Sequence, residues 1–415
     1  METRSADVTA LALDGLDWLL DLAQKTDDGL AWPVTPEDKT SPTLYSGGAG
    51  IVMTLIEAYR HFDDDRFADA AVRGAREVAA AVTSCEEYGL HGGLTGLAVA
   101  LRTVADVLAE TWAVTAADQA LDRVRAGLDG DRWNDYYEVI MGNAGIALGA
   151  LQVGDTELAT SAVARYRNHI ETTEGGVRWE LADGWTSRMH HVSHGTLGIV
   201  MALAAVGEAT GDRELVELAL AGAADVVSRN EGGSDGFLVA HSDPPHNPER
   251  NPRYSYGWCH GPTGDAQAFR LLGTVTGDPA WAALTDRCWH TVTHSGLPKR
   301  LRPGFWDNNG PCCGTAGVLA LACDRHVQLG DGMAFADVLV DDIAARATVD
   351  SAGARWSNHE HKEDPSVLPP RTGWAMGSAG IIRELLRYAR VVDGRDPGYA
   401  TRWPDHPPVS ALAGE

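Results

Sequence analysis

Seven stretches of this chain share one form: a glycine, two residues, a second glycine, then an apolar run of helix-forming residues. They are SGGAGIVMTLIEAYR (Gly47, Gly50), HGGLTGLAVALRTVA (Gly93, Gly96), IMGNAGIALGALQVG (Gly142, Gly145), SHGTLGIVMALAAVG (Gly195, Gly198), WCHGPTGDAQAFRLLG (Gly261, Gly264), CCGTAGVLALACDRH (Gly314, Gly317) and MGSAGIIRELLRYAR (Gly377, Gly380). The first glycines stand 46, 49, 53, 66, 53 and 63 residues apart. One G-x-x-G arises by chance; seven at near-regular spacing, each opening a helix, define a repeat. Each interval has room for two helices. GLAVALRTVADVLAET and AADQALDRVRAGL, after the second copy, both carry apolar residues at i, i+3 and i+4. The first helix of each pair is apolar on most of its surface, so it must be buried all round; the second is amphipathic and covers it. Seven inner helices inside seven outer ones predict an all-α fold, an α,α-toroid. An open solenoid would need polar caps at its ends, and neither terminal repeat has that character.

No composition shift marks a linker, so residues 1–415 read as a single domain, with an irregular tail over 395–415. GLAW, GVRW and GARW place Trp32, Trp179 and Trp356 in loops between outer and inner helices. The inserts HSDPPHNPERNPRYSYG and WSNHEHKEDPSVLPPRTG, rich in Pro, His and charge, read as surface loops over one end of the barrel. The glycines themselves fit a structural role, allowing unusual φ angles and close backbone approach at a crowded axis.

The formal net charge is −24, with four lysines. That excludes the basic footprint a nucleic-acid phosphate backbone requires and favours solubility. The acid runs FDDDRFAD and DVLVDDIAA read as solvated faces. No run of 18 apolar residues marks a membrane span, and the N-terminal stretch reads as an amphipathic helix rather than a secretory signal, so a cytoplasmic location is the expectation. Six cysteines in so long a chain point to metal binding, catalysis or packing before a disulfide framework.

Aligning the repeats on their first glycine sorts the cysteines. The residue two before it is Tyr45, His91, Ile140, Ser193, Cys259, Cys312 or Ala375; the residue one before it is Ser46, Gly92, Met141, His194, His260, Cys313 or Met376. Cys259 and Cys312 therefore hold equivalent positions on adjacent inner helices although 53 residues separate them, and Cys313 follows at the same mouth. Three converging thiolates suit Zn²⁺ and leave its fourth position open, as in catalytic rather than structural sites. Helix N-termini also favour thiolate over thiol. Cys85, Cys288 and Cys323 have no partner at a matching position and read as small hydrophobes within helices. His194, one repeat earlier, falls beside the three sulfurs as a fourth ligand, a general acid or a structural group. His190 and His191 read as loop residues or supports of the site, and His260 as lining the cleft.

These residues carry a resemblance. WCHGPTG in one repeat, CCGTAG in the next and SHGTLGI in the one before resemble the lanthionine synthetase C-like family of lanthipeptide cyclases, over nearly the whole chain. The resemblance implies a zinc ion held by Cys259, Cys312 and Cys313. The family's usual third ligand is His; Cys313 stands there instead, as in a branch with three-cysteine sites. It implies that His194 is the acid–base residue and that Glu138, in YYEVIMG, replaces a family aspartate at the cost of one extra methylene. An arginine that some cyclases carry four residues before the first cysteine is Ser255 here, with Arg253 two residues earlier. The implied activity is closure of (methyl)lanthionine thioether rings by adding cysteine thiols to dehydroalanine or dehydrobutyrine in a dehydrated precursor peptide. The chain is too short to include a dehydratase as well, so a separate one would supply that peptide. Three alternatives remain: addition of glutathione to dehydrated protein residues; a zinc prenyltransferase toroid, which the three-cysteine set argues against; and a non-catalytic, zinc-stabilised peptide-binding scaffold.

Overall fold

A computed structural model describes residues 2–407. Its helices alternate between an outer and an inner layer. In chain order they are α1 (Glu2–Asp21), α2 (Gly48–Phe62), α3 (Asp65–Ala81), α4 (Leu94–Leu108), α5 (Thr111–Ala126), α6 (Asn143–Gln152) and α7 (Thr156–Asn168). There follow α8 (Thr196–Thr210), α9 (Arg213–Ser228), α10 (Pro262–Thr276), α11 (Pro279–His294), α12 (Thr315–Leu329), α13 (Ala334–Arg346) and α14 (Ser378–Val392). The even-numbered helices are the seven inner ones that the repeats predict, and the odd-numbered helices cover them. Each inner helix packs on the outer helix that follows it; the last inner helix, α14, is followed by none among the described residues, and packs on α1 instead. Since α14 also packs on α2, the first and last turns close the α,α-toroid.

Backbone hydrogen bonds show the closure residue by residue. At the position two before each first glycine, the N–H of one repeat donates to the carbonyl of the next. The links run from Tyr45 to His91 (2.9 Å), His91 to Ile140 (3.0 Å), Ser193 to Cys259 (3.1 Å), Cys259 to Cys312 (3.0 Å), Cys312 to Ala375 (2.9 Å) and Ala375 back to Tyr45 (3.0 Å). The remaining donor, Ile140 N–H, turns to the Glu138 carboxylate at 2.6 Å. The sequence alignment of the repeats is thus a physical register, and its one interruption falls at Glu138.

The glycines are held by contact, not by unusual torsions. Every first glycine is a helix N-cap with an extended backbone, such as Gly47 at φ −139° and Gly314 at φ −139°, which corrects the expectation of unusual φ. A Cβ on Gly264 would lie 1.9 Å from the Trp258 carbonyl oxygen, and one on Gly317 would lie 2.1 Å from that of Pro311. Those are overlaps with backbone, so no side chain can yield to relieve them.

Where the sequence predicts loops after three of the outer helices, the chain forms short hairpins: β1 (Gln24–Lys25) with β2 (Leu30–Ala31), β3 (Glu171–Thr172) with β4 (Val177–Arg178), and further on β7 (Ala347–Asp350) with β8 (Gly353–Trp356). Between them in sequence, β5 (Arg188–Met189) pairs with β6 (Ser242–Asp243) and ties the insert after α9 to the loop before α8. The three G-x-x-W tryptophans are buried, and each donates its indole N–H to a carbonyl of the preceding outer helix: Trp32 to Leu19 (2.8 Å), Trp179 to Tyr166 (2.8 Å) and Trp356 to Ile343 (2.9 Å).

The far end of the bore departs from the expected apolar lining. Arg383, Arg387 and Arg390 on α14 are almost wholly buried. Residues 395–407, without helix or strand, cross the bore there, and the three guanidiniums donate to the carbonyls of Thr401 (2.9 Å), Pro397 (3.0 Å) and Gly398 (3.2 Å). Trp403 packs on Trp374, and Asp405 reaches within 3.5 Å of His91 Nε2. The last part of the expected irregular tail, 408–415, lies outside the described residues. No helix among the described residues is long and apolar enough to cross a membrane.

Candidate metal centre and cleft

The loops entering α10 and α12 deliver three sulfur atoms to one place. Cys259 Sγ lies 2.8 Å from Cys313 Sγ, Cys313 Sγ lies 3.3 Å from Cys312 Sγ, and all three fall within 4.8 Å of one another. The Cys259 N–H bond to the Cys312 carbonyl holds the two loops in register beneath them. Zinc–sulfur bonds of about 2.3 Å place tetrahedral sulfurs about 3.8 Å apart, so a spread of roughly 1 Å would accommodate the ion. Sulfur donors also match its softness. The cluster can therefore bind a metal.

Three neighbouring thiols cannot all ionise unaided. The first proton leaves most readily from Cys312, whose anion is held by hydrogen bonds from Cys259, Cys313 and Tyr45 and which is pushed well below the usual thiol value. Hydrogen bonding to that anion and burial push Cys259 well above it. A bound cation reverses the second effect, because it favours every thiolate that contacts it. Cys288 and Cys323, wholly buried in helices, are raised by burial, Cys323 up to about 12. They behave as the inert core residues that the sequence implies. Cys85 differs from expectation: it lies beyond the end of α3, half-buried, with Sγ 3.5 Å from the Glu87 carbonyl oxygen.

His194 and Glu138 meet beside the sulfurs. His194 Nδ1 lies 3.0 Å from Glu138 Oε2. The same carboxylate accepts the N–H of Ile140 (2.6 Å) and of Met141 (3.0 Å), which fixes it against the loop entering α6. The extra methylene of Glu138 therefore does not remove it from the histidine. Burial opposes a charge on His194, but attraction and hydrogen bonding from Glu138 outweigh it and raise the imidazole above its ordinary value. His191 is a buried support, with Nδ1 2.9 Å from both oxygens of Asp265 on α10. Burial holds His190 neutral, down to about 3. Arg253 is engaged elsewhere, 2.7 Å from Glu231.

Two cavities flank the sulfurs. One of about 220 Å³ is lined by Tyr45, His194 and Cys312; the other, about 390 Å³, by His241, His260, Cys259 and Cys313. Two of these residues escape a reading of the sequence. Tyr45 donates its hydroxyl to Cys312 Sγ at 3.3 Å; its place in the same register as Cys259 and Cys312 is a signal that could have found it. His241 stacks on His260 with ring centroids 3.9 Å apart. It lies in an irregular insert, where no periodicity points to it.

The family model described as "Lanthionine synthetase C-like protein" matches residues 38–248 and 246–328. The chain belongs to the lanthionine synthetase C-like family. Among solved structures it is similar to nisin cyclase, at 14% identity and a TM-score of 0.65, over 98% of this chain and 97% of that one. It is also similar to the GH76A α-1,6-mannanase of Salegentibacter sp. HEL1_6, at 13% identity and a TM-score of 0.52, over 93% of this chain and 99% of that one. An unsaturated glucuronyl hydrolase from Bacillus sp. GL1 matches at 14% identity and a TM-score of 0.51, over 95% and 98% of the two chains. No curated protein matches. At these identities the structural likenesses show the toroid alone; the family membership rests on the sequence model.

Proposed function

We propose that this lanthionine synthetase C-like protein acts over its whole length as one domain, a zinc-dependent peptide cyclase that adds cysteine thiols to dehydroalanine or dehydrobutyrine and forms (methyl)lanthionine rings. The observation that carries the reading is the convergence of Cys259, Cys312 and Cys313 next to the His194–Glu138 pair. Glycoside hydrolysis, the chemistry of a structurally similar toroid, needs two facing carboxylates; three thiols and one imidazole–carboxylate pair are a different tool.

Cys259, Cys312 and Cys313 are the residues that would hold zinc. When bound there, zinc supplies Lewis acidity that lowers the pKa of a peptide thiol brought to it. The protein's own groups account for the rest. In the reaction the peptide thiol gives up its proton to solvent, its sulfur bonds to the β-carbon of the dehydro residue as the carbon–carbon double bond opens, and a proton is delivered to the α-carbon by a group that regains it from solvent, so the addition is balanced. Nothing is oxidised or reduced. His194, kept protonated and oriented by Glu138, delivers that proton as the general acid. The Tyr45 hydroxyl, hydrogen-bonded to Cys312 Sγ, steadies that sulfur as a donor. The cleft holds the two reacting residues of one peptide together, so ring closure gains the effective concentration of an intramolecular step. The location we propose is cytoplasmic, and the partner a precursor peptide dehydrated by a separate enzyme.

The addition leaves the peptide mass unchanged, so the test counts free thiols. A peptide carrying one dehydroalanine and one cysteine is incubated with the zinc-loaded protein, then treated with N-ethylmaleimide. The expected product does not take the maleimide tag. Cys313→Ala should lose zinc and activity together; full activity without metal would overturn the reading, and consumption only of added glutathione would favour the glutathione alternative.

A further inference from the structure

The larger cavity differs in charge from the rest of the molecule. The chain carries a net −24, and arginines on the outer helices, such as Arg66, Arg125 and Arg167, sit against carboxylates. Yet three basic side chains from three separate inserts line this one cleft: Arg250 from the loop after β6, Arg302 from the loop after α11, and Lys362 from the loop after β8. Lys362 donates to the Glu249 carbonyl, which ties two of the inserts together over the cleft. Arg250 and Arg302 are exposed, and neither forms an ion pair among the described residues. The two acidic residues that share the lining are engaged locally. Asp307 accepts the Gly304 N–H at 3.0 Å and lies 3.8 Å from Arg300; Glu360 accepts the Lys362 N–H at 3.2 Å and lies 3.4 Å from His361. The cleft floor is aromatic, with Tyr256 edge-on to Phe305 at 5.8 Å, and it leads to Cys259 and Cys313.

Repulsion from the acidic exterior fades over about 8 Å at physiological ionic strength, so the nearest charges decide what enters. Arginine forks match carboxylates in shape as well as charge. We infer that this cleft is a binding site for an acidic peptide segment, with Arg250 and Arg302 receiving Asp or Glu side chains close to the residue that reaches the sulfurs. This assigns a substrate class to the site and rests on the reading of it as a peptide-handling centre.

Binding can be read without chemistry. Fluorescein-labelled peptides with serine in place of both reactive residues are titrated with the zinc-loaded protein, comparing a segment containing Asp and Glu with its Asn and Gln counterpart. The acidic peptide should bind at least tenfold tighter. Arg250→Gln with Arg302→Gln should erase the preference, while Arg302→Lys should keep most of it; melting curves and zinc content verify that the variants fold. Equal affinity for the two peptides, or a preference unchanged in the double variant, would overturn the inference. Amidation of the peptide C-terminus should change nothing; loss of binding on amidation would place the recognised carboxylate at the chain end and contradict the side-chain assignment. If the cyclase reading alone fails, acidic preference persists without thiol loss. If this inference alone fails, rings close without acidic preference.

Discussion

At the residue scale, the chemistry depends on how each side chain is charged by its neighbours. Glu138 raises His194, so the imidazole stays protonated further into the alkaline range than a free one. Because the folded value is raised, the stabilisation from this pair is present at low pH and is lost as pH rises through the folded value. A general acid at His194 has the same dependence: activity falls as pH rises past that value. Glu138→Gln should move the alkaline limb of the kcat/KM profile to lower pH, as read from thiol-loss rates between about pH 6 and 10, a range that brackets free imidazole and free thiol ionisation; an unmoved limb would remove His194 from the role. Cys313 gives a second prediction. Cys313→His, the family's usual ligand, should retain zinc but react more slowly, since a neutral imidazole leaves less negative charge at the site than a thiolate; metal analysis together with thiol loss checks both halves. Tyr45→Phe removes the hydroxyl at Cys312 Sγ, and in cobalt-substituted protein the sulfur-to-metal charge-transfer band should shift to lower energy.

At the element scale, the G-x-x-G turns set the position of the three cysteines, because each brings an inner helix against the carbonyl of the loop that enters it. Gly264→Ala places a methyl group 1.9 Å from the Trp258 carbonyl oxygen, one residue from Cys259, where only backbone can move. The variant should melt at lower temperature and release zinc to a chelator faster than wild type. Gly277→Ala, at a helix end with open space but φ +68°, should destabilise without changing zinc release. The spacing of these glycines was enough to give the helix pairs, the ring and the equivalence of Cys259 with Cys312, because a repeat converts distance along the chain into adjacency in space. The hairpins were not legible in the same way: two-residue strands such as β3 leave no alternation to detect. That the glycines serve close approach without unusual torsion also needed coordinates, since both demand the same residue.

At the scale of the whole molecule, closure comes from parts far apart in sequence. Helix α1 covers α14, and residues 395–407 fill the bore beside Arg383, Arg387 and Arg390. The sequence showed the tail as irregular but not where it goes, because its carbonyl oxygens accept hydrogen bonds from arginines, and neither partner has a periodic signature. The same limit hid His241 and the basic lining of the cleft, which come from inserts outside the repeat. Removing the chain from Gly394 onward should lower the melting temperature by several degrees, because the bonds of Arg383, Arg387 and Arg390 to its carbonyls, each worth about 1.5–3 kcal/mol, are lost together with those of Tyr399 to Glu384 and of Ala400 to Glu57 and with the packing of Trp403; a melt unchanged by the deletion would show the tail to be dispensable. The central claim concerns what the closed ring assembles at its other end, and X-ray absorption at the zinc edge on the purified protein tests it most directly. The account predicts one zinc per chain with a shell of three sulfurs at about 2.3 Å and one lighter ligand. A protein that purifies and folds without zinc, or binds it through nitrogen and oxygen alone, would contradict it.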